Sequence, residues 1–139
     1  MRFKQFIKSL TQRERDQFNQ KRAIENKIKG NNTEQLACDY LLEQGLQLVQ
    51  CNFSSRYGEI DLIMRDTDTL VFIEVRYRKN RNFGGAAASV TATKQQRIIK
   101  TALSYQQQYA IQDTMRFDVV AVEGNCSKIK WIKNAFSGF

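Results

Sequence analysis

The sequence predicts an α/β domain, and three observations predict it. Two apolar runs at 58–64 and 70–77 are separated by an Asp-Thr-Asp turn, two helical repeats begin near 33 and 93, and a second pair of strand-like runs occupies 116–133. With 139 residues and 42% hydrophobic composition, one core is enough to account for all of them, and no second domain is called for.

The elements follow in order. In residues 1–29, Phe3, Phe6, Ile7 and Leu10 share an apolar face, but from there to Ile28 the pattern thins among Arg, Lys and Gln. This segment reads as a basic N-terminal extension. Two descriptions stay open, a solvated charged helix or partly disordered arm, and an arm that contacts nucleic acid. Glu14 and Asp16 speak against a mitochondrial-type targeting peptide. The domain proper is expected at 30–139. Gly30-Asn31-Asn32-Thr33 is a turn and cap, after which Leu36, Ala37, Tyr40 and Leu41 repeat at helical spacing until Gly45 stops them, a helix of about three turns. Glu34 lies in its first turn, where the helix dipole favours a carboxylate. Gly45–Asn52 supplies a short first strand through Leu46, Leu48 and Val49.

Gly58–Met64 and Leu70–Tyr77 are rich in Ile, Leu, Val and Phe and read as a β-hairpin. Side chains alternate between faces, so Glu59 and Asp61 are expected on one face of the first strand and Glu74 and Arg76 on one face of the second. Residues 78–85, Arg-Lys-Asn-Arg-Asn-Phe-Gly-Gly, form a basic loop that suits a phosphate backbone through Arg78, Lys79 and Arg81, or is an ordinary exposed connection. Thr93-Lys-Gln-Gln fits a capping box, followed by Ile98, Ile99, Ala102, Leu103 and Tyr109 at helical spacing. That register puts Lys94 at the first helical position, against the dipole, a placement understandable if it faces a phosphate or a carboxylate. Arg116–Glu123 and Lys128–Lys133 then read as a second hairpin, with Trp131 as a packing residue rather than a base-stacking platform.

The formal net charge is +8 and suggests a polyanionic partner. Its distribution is uneven: residues 1–30 carry nine basic and three acidic side chains, 31–74 two and eight, 75–112 seven and none, and 113–139 four and three. An acidic block between two basic blocks is the layout expected where phosphates are brought to a metal. Cys38, Cys51 and Cys126 are odd in number and widely spaced, which suggests neither a disulfide framework nor a CxxC zinc motif, and they read as packed thiols in a reducing compartment. No apolar run approaches a membrane span and no signal-peptide pattern follows the start, so no membrane and a cytoplasmic location are the expectation. Histidine is absent, which excludes His-based zinc sites, Ser-His-Asp triads and Cys-His pairs.

Catalysis is thereby left to carboxylates, Lys, Arg, Tyr or Cys. Acids inside apolar strands are costly unless a cation compensates them. Asp61 and Glu74, with the carbonyl of Val75, make a hard-oxygen set suited to Mg²⁺ or Mn²⁺ that leaves room for waters and a phosphate oxygen. The competing reading is a set of ion pairs with Arg56, Arg65 or Arg76.

The order G-E-I-D-L-I, thirteen residues from Asp61 to Glu74, F-I-E-V-R-Y-R, then F-G-G and a Lys-Gln helix resemble the bacterial YraN family, also designated UPF0102. The resemblance runs from about Gly30 to Phe136 and includes Arg116-Phe117-Asp118 and Asn134-Ala135-Phe136. It implies a restriction-endonuclease-like αβββαβ core of the PD-(D/E)xK superfamily, with a central mixed sheet flanked by helices and likeness to archaeal Holliday-junction resolvases. It further implies Asp61 and Glu74 as metal ligands, Glu34 as an accessory acid and Lys94 as a helix-borne contact to phosphate or carboxylate.

One departure stands out: the family has Lys two residues after the metal-binding Glu, where this chain has Arg76. An arginine cannot act as a base near neutral pH, since its pKa exceeds about 12, yet its fork of donors can stabilise a phosphate. The expectation is therefore a Mg²⁺-dependent nuclease acting on DNA rather than RNA, branched or damaged DNA included, with Glu34, Asp61, Glu74, Arg76 and Lys94 at the centre. Arg78, Lys79, Arg81 and Arg97 are expected along the nucleic acid, and analogy with nucleases that cut both strands suggests a homodimer. The rivals are a nucleic-acid-binding module on the same fold whose catalysis has faded, and a protein-interaction domain with a basic face.

Overall fold

The computed structural model describes residues 9, 11–17, 32–78, 90–123 and 128–138. Within the N-terminal extension, residues 12–17 are helical. Thr11 and Glu14 cap that turn reciprocally, Thr11 N donating to Glu14 Oε2 at 2.7 Å and Glu14 N to Thr11 Oγ1 at 3.2 Å. The other readings of that extension lie outside the described residues.

Helix α1 (Asn32–Glu43) is followed by strands β1 (Gln47–Ser55), β2 (Gly58–Asp66) and β3 (Thr69–Arg78), helix α2 (Ala92–Tyr109), and strands β4 (Thr114–Glu123) and β5 (Lys128–Phe136). The strands form one sheet in the order β1-β2-β3-β4-β5. Its pairings are antiparallel except β3 with β4, which run parallel because α2 carries the chain back between them. This is the mixed αβββαβ arrangement the sequence predicts, with β5 added at the edge.

Alternation along the strands sorts the core onto two faces. Leu70 and Phe72 of β3 and Val119 and Ala121 of β4 pack against Ile98, Ile99, Ala102 and Tyr105 of α2. Val71, Ile73 and Val120 pack on the opposite face against Ala37, Cys38 and Leu41 of α1. Burying each large side chain here contributes about 1.5–3 kcal/mol. The first helix ends where Gly45, at φ 97°, lets Leu46 N reach back to Leu41 O.

The start of α2 corrects the sequence reading. The cap is Thr91, whose side chain accepts from Lys94 N, so the helix begins two residues before the expected position. Buried Val90, whose carbonyl accepts from Gln95 Nε2, fixes the entry. Lys94 is thus the third helical residue, still in the first turn.

At the far edge, fully buried Asp118 gathers four donors: Arg116 Nε at 2.9 Å and Nη2 at 3.0 Å, Trp131 Nε1 at 2.9 Å and Asn134 N at 2.9 Å. Arg116 also reaches Asp66 at 3.0 Å. Asn134 has φ 51°, and the β4–β5 register shifts between Phe117 and Val119. Asp118 therefore pins an irregular strand edge, and Phe117 stacks on Phe136 with ring centroids 5.0 Å apart beside it. Trp131 is a packing residue here, as the sequence suggested.

Candidate functional site

The pairing of β2 with β3 runs from Asp66↔Thr69 to Leu62↔Ile73. At the next position a side chain takes the place of the neighbouring backbone, Asp61 Oδ2 accepting the Val75 N–H at 2.8 Å. Ile60 packs with the α2 face and Leu62 with the α1 face, so the alternation of β2 is broken at Asp61. Glu59 is exposed while Asp61 is partly buried, which separates two acids that strict alternation would put on one face.

Glu74 continues the Leu70 and Phe72 row and points toward α2. Its side chain is only 5% exposed; its Oε2 has no donor among the described residues, and the carboxyl stands within hydrogen-bonding reach of Asp61 once one of the two acids is protonated. Its Oε1 lies 3.7 Å from Lys94 Nζ and 3.7 Å from Arg76 Nη1. Those distances give ion pairing without a close hydrogen bond. Both cations are more than a third exposed.

From the opposite face, α1 delivers Glu34 to the same place. Asn52, a mid-strand residue of β1 with φ 53°, donates from its side-chain nitrogen to Glu34 Oε2 and Glu59 Oε1, each at 3.1 Å, once its amide is turned to satisfy both. Glu34 also stands within hydrogen-bonding reach of Asp61.

Crowding of acids in a half-buried space raises their pKa values. Burial, then the charge of Asp61, pushes Glu74 up to about 7, with Lys94 and Arg76 acting against the rise. Burial and then Asp61 push Glu34 up to about 7 as well. Asp61 is also raised by burial, opposed chiefly by the Val75 N–H. Near neutral pH the cluster therefore holds protons that exposed carboxyls would have released.

The structure thus brings Glu34, Asp61, Glu74, Arg76 and Lys94 together. Arg65 pairs instead with Asp113 at 2.8 Å, and Arg56 donates to its neighbour Tyr57, so neither occupies the acids. No three Cys, Asp or Glu side chains converge at ligand spacing among the described residues. The protein donors offered are two carboxylates and, next to Glu74, the Val75 backbone. Arg97 is exposed on α2, one turn beyond Lys94. Arg78 closes β3, while its side chain, Lys79 and Arg81 lie outside the described residues.

A family model described as "Uncharacterised protein family UPF0102" matches residues 33–122. The chain belongs to the UPF0102 family. It is 56% identical over 110 residues to a UPF0102 protein of Legionella pneumophila strain Corby, covering 78% of this chain and 93% of that one. It is 50% identical over 109 residues to one of Nitrosomonas europaea, covering 78% and 92%. A Vibrio cholerae UPF0102 protein is 46% identical over 117 residues, covering 82% and 96%. The part of the chain matched by the UPF0102 model contains every residue of the acidic cluster, together with Arg76 and Lys94.

Two features of this UPF0102 protein escaped sequence reading. Asn52 bridges two acids from within a strand, and its only signal is an Asn in an apolar run, a residue type that tolerates positive φ. The second is a cleft of about 460 Å³ between the β1–β2 turn and α2, lined by Arg56, Tyr57, Thr93, Gln96, Arg97 and Lys100. No helix among the described residues is long and apolar enough to cross a membrane.

Proposed function

We propose that this protein is a Mg²⁺- or Mn²⁺-dependent nuclease acting on DNA, branched or damaged DNA included. The observation that carries the reading is Glu74. A buried carboxylate oxygen without a donor costs about 1–3 kcal/mol, and it sits beside Asp61 at the point where β2 parts from β3. A hard divalent cation relieves that cost, and two carboxylates with waters suit Mg²⁺, which keeps much of its hydration. Asp61, Glu74 and the Val75 carbonyl would hold it. When bound, such an ion polarises a phosphate oxygen and lowers the pKa of an attacking water.

The chain's own side chains have separate tasks. The Val75 N–H fixes the orientation of Asp61. Arg76 and Lys94 reach the open side of Glu74, where their donors stabilise charge on a phosphate. Glu34, tethered by Asn52, backs Asp61 as the accessory acid. Arg76 stands where the family pattern has Lys, but Lys94 offers an ammonium to the same carboxylate oxygen at the same 3.7 Å. The superfamily likeness and the +8 charge support nucleic acid as substrate, and cutting both strands of a duplex calls on the homodimer expected by analogy.

A second reading is favoured by Arg76 itself: a nucleic-acid-binding module on the same fold without turnover. Purified protein incubated with linear, nicked, single-stranded and four-way DNA in Mg²⁺, Mn²⁺ or EDTA separates the two. The nuclease reading expects cleavage with either metal and none in EDTA or in Asp61→Ala/Glu74→Ala. Salt-sensitive binding without cleavage at any metal concentration favours the module, and cleavage that persists in the double variant leaves the proposed site without support.

A further inference from the structure

The cleft beside the acidic cluster is built from two parts of the chain that are locked together. Ser55 Oγ and Thr101 Oγ1 are 2.9 Å apart, and Tyr57 N donates to Ser55 Oγ at 3.0 Å. The β1–β2 turn is therefore fixed against α2 before any ligand arrives. Gly58 marks how near the two lie, since a Cβ there would stand 3.5 Å from Arg97 Cβ.

Within this frame the Tyr57 ring gathers two cations, with Arg56 Cζ 4.8 Å and Lys100 Nζ 5.5 Å from its centroid. An aromatic face attracts each of them. Arg97 lines the same cleft, and among the described residues no carboxylate does. Three positive charges gathered around one cleft repel one another and favour an anion between them. Arg97 and Lys100 also follow Lys94 along α2 by three and six residues, about 4.5 and 9 Å along the helix axis, on a row that turns about 120° around it.

We infer that this cleft is a second phosphate subsite, holding a phosphate of the same nucleic-acid strand whose scissile phosphodiester lies at Asp61 and Glu74. It deepens the nuclease reading and rests on it for the first phosphate. The substrate class becomes a polymer of at least a few nucleotides rather than an isolated phosphodiester. Thr93 and Gln96 add neutral hydrogen-bonding groups to the same wall.

The test compares Arg56→Ala/Arg97→Ala/Lys100→Ala with the charge-matched Lys128→Ala/Lys130→Ala/Lys133→Ala on β5. Binding to an oligonucleotide is measured across salt with Ca²⁺ replacing Mg²⁺, and cleavage in Mg²⁺ is followed on the oligonucleotide and on bis(p-nitrophenyl) phosphate, which has no flanking phosphate. The cleft variant is expected to bind the oligonucleotide about tenfold more weakly, with a salt slope lower by about 0.7–0.9 for each phosphate no longer neutralised. Its KM for the oligonucleotide rises by a larger factor than its KM for the small ester. Equal weakening in the two triple variants, or an unchanged slope and KM in the cleft variant, overturns the subsite and leaves the nuclease reading standing. Wild-type protein that never cleaves, while the cleft variant alone binds more weakly, removes the nuclease reading and keeps the subsite. Wild-type protein that binds no nucleic acid overturns it.

Discussion

Replacing Glu74 by Gln should stabilise the metal-free protein at alkaline pH. The native side chain is 5% exposed, holds one oxygen without a donor, and faces a second acid. Its pKa rises from 4.5 to about 7, chiefly through burial. Below pH 4.5 both folded and unfolded chains hold the proton. Between 4.5 and 7 only the folded chain does, so stability falls as pH rises through that window; above 7 the penalty is complete. At 1.36 kcal/mol per pH unit the rise is worth about 3 kcal/mol. The opposing pull of half-exposed Lys94 and Arg76 is already contained in that rise, so the variant gains about 3 kcal/mol at pH 8 and none near pH 4.5. Urea denaturation of both proteins in EDTA at pH 5 and pH 8 measures this. If the carboxylate set holds Mg²⁺ as proposed, added Mg²⁺ raises the midpoint of the wild type at pH 8 and moves that of the variant less. A variant no more stable than wild type at pH 8, or stabilised equally at both pH values, would refute the account of Glu74 as a buried and unrelieved charge.

Two further outcomes follow from the same geometry. Lys94→Ala should fold and bind DNA but lose metal-dependent cleavage by about a hundredfold, measured in single-turnover assays; unchanged cleavage would exclude it from the site. Asp118→Ala should cost about 3 kcal/mol in denaturant unfolding, because it strands Trp131 Nε1 and Asn134 N around an empty position and leaves Arg116 with Asp66 alone. A loss below about 1 kcal/mol, the size of an ordinary surface ion pair, would show that the β5 edge does not depend on that network.

Much of the fold could be read from the chain because its two periodicities are clean. The runs of β2 and β3 and the helical repeat of Ile98, Ile99 and Ala102 are decided by burial, and burial is what apolar patterning reports. Boundaries fared less well where local chemistry was degenerate. Thr93, with Gln96 three residues on, is the better cap on paper, and the seating of Val90 in the core selects Thr91 instead. The role of Asp118 was not legible along the chain, because its partners Trp131 and Asn134 come from the next strand and meet it only through the β4–β5 pairing.

The site shows the same division between what is local and what is tertiary. Period two correctly placed Glu74 with Arg76 and wrongly coupled Glu59 to Asp61, because β2 departs from its own alternation at the residue that matters. That departure frees the Val75 N–H from a strand partner and gives it to Asp61, so the irregularity and the carboxylate's orientation are one feature. It also bears on Arg76. Taken along β3 alone, an arginine in place of lysine reads as a missing ammonium. Across the fold, α2 begins where its first turn can set Lys94 on the same Glu74 oxygen, against its own dipole. A cation held in that unfavourable place is more readily explained by the charge it faces than by the helix it belongs to, which makes α2, rather than the residue after Val75, the place to look for the group that completes this site.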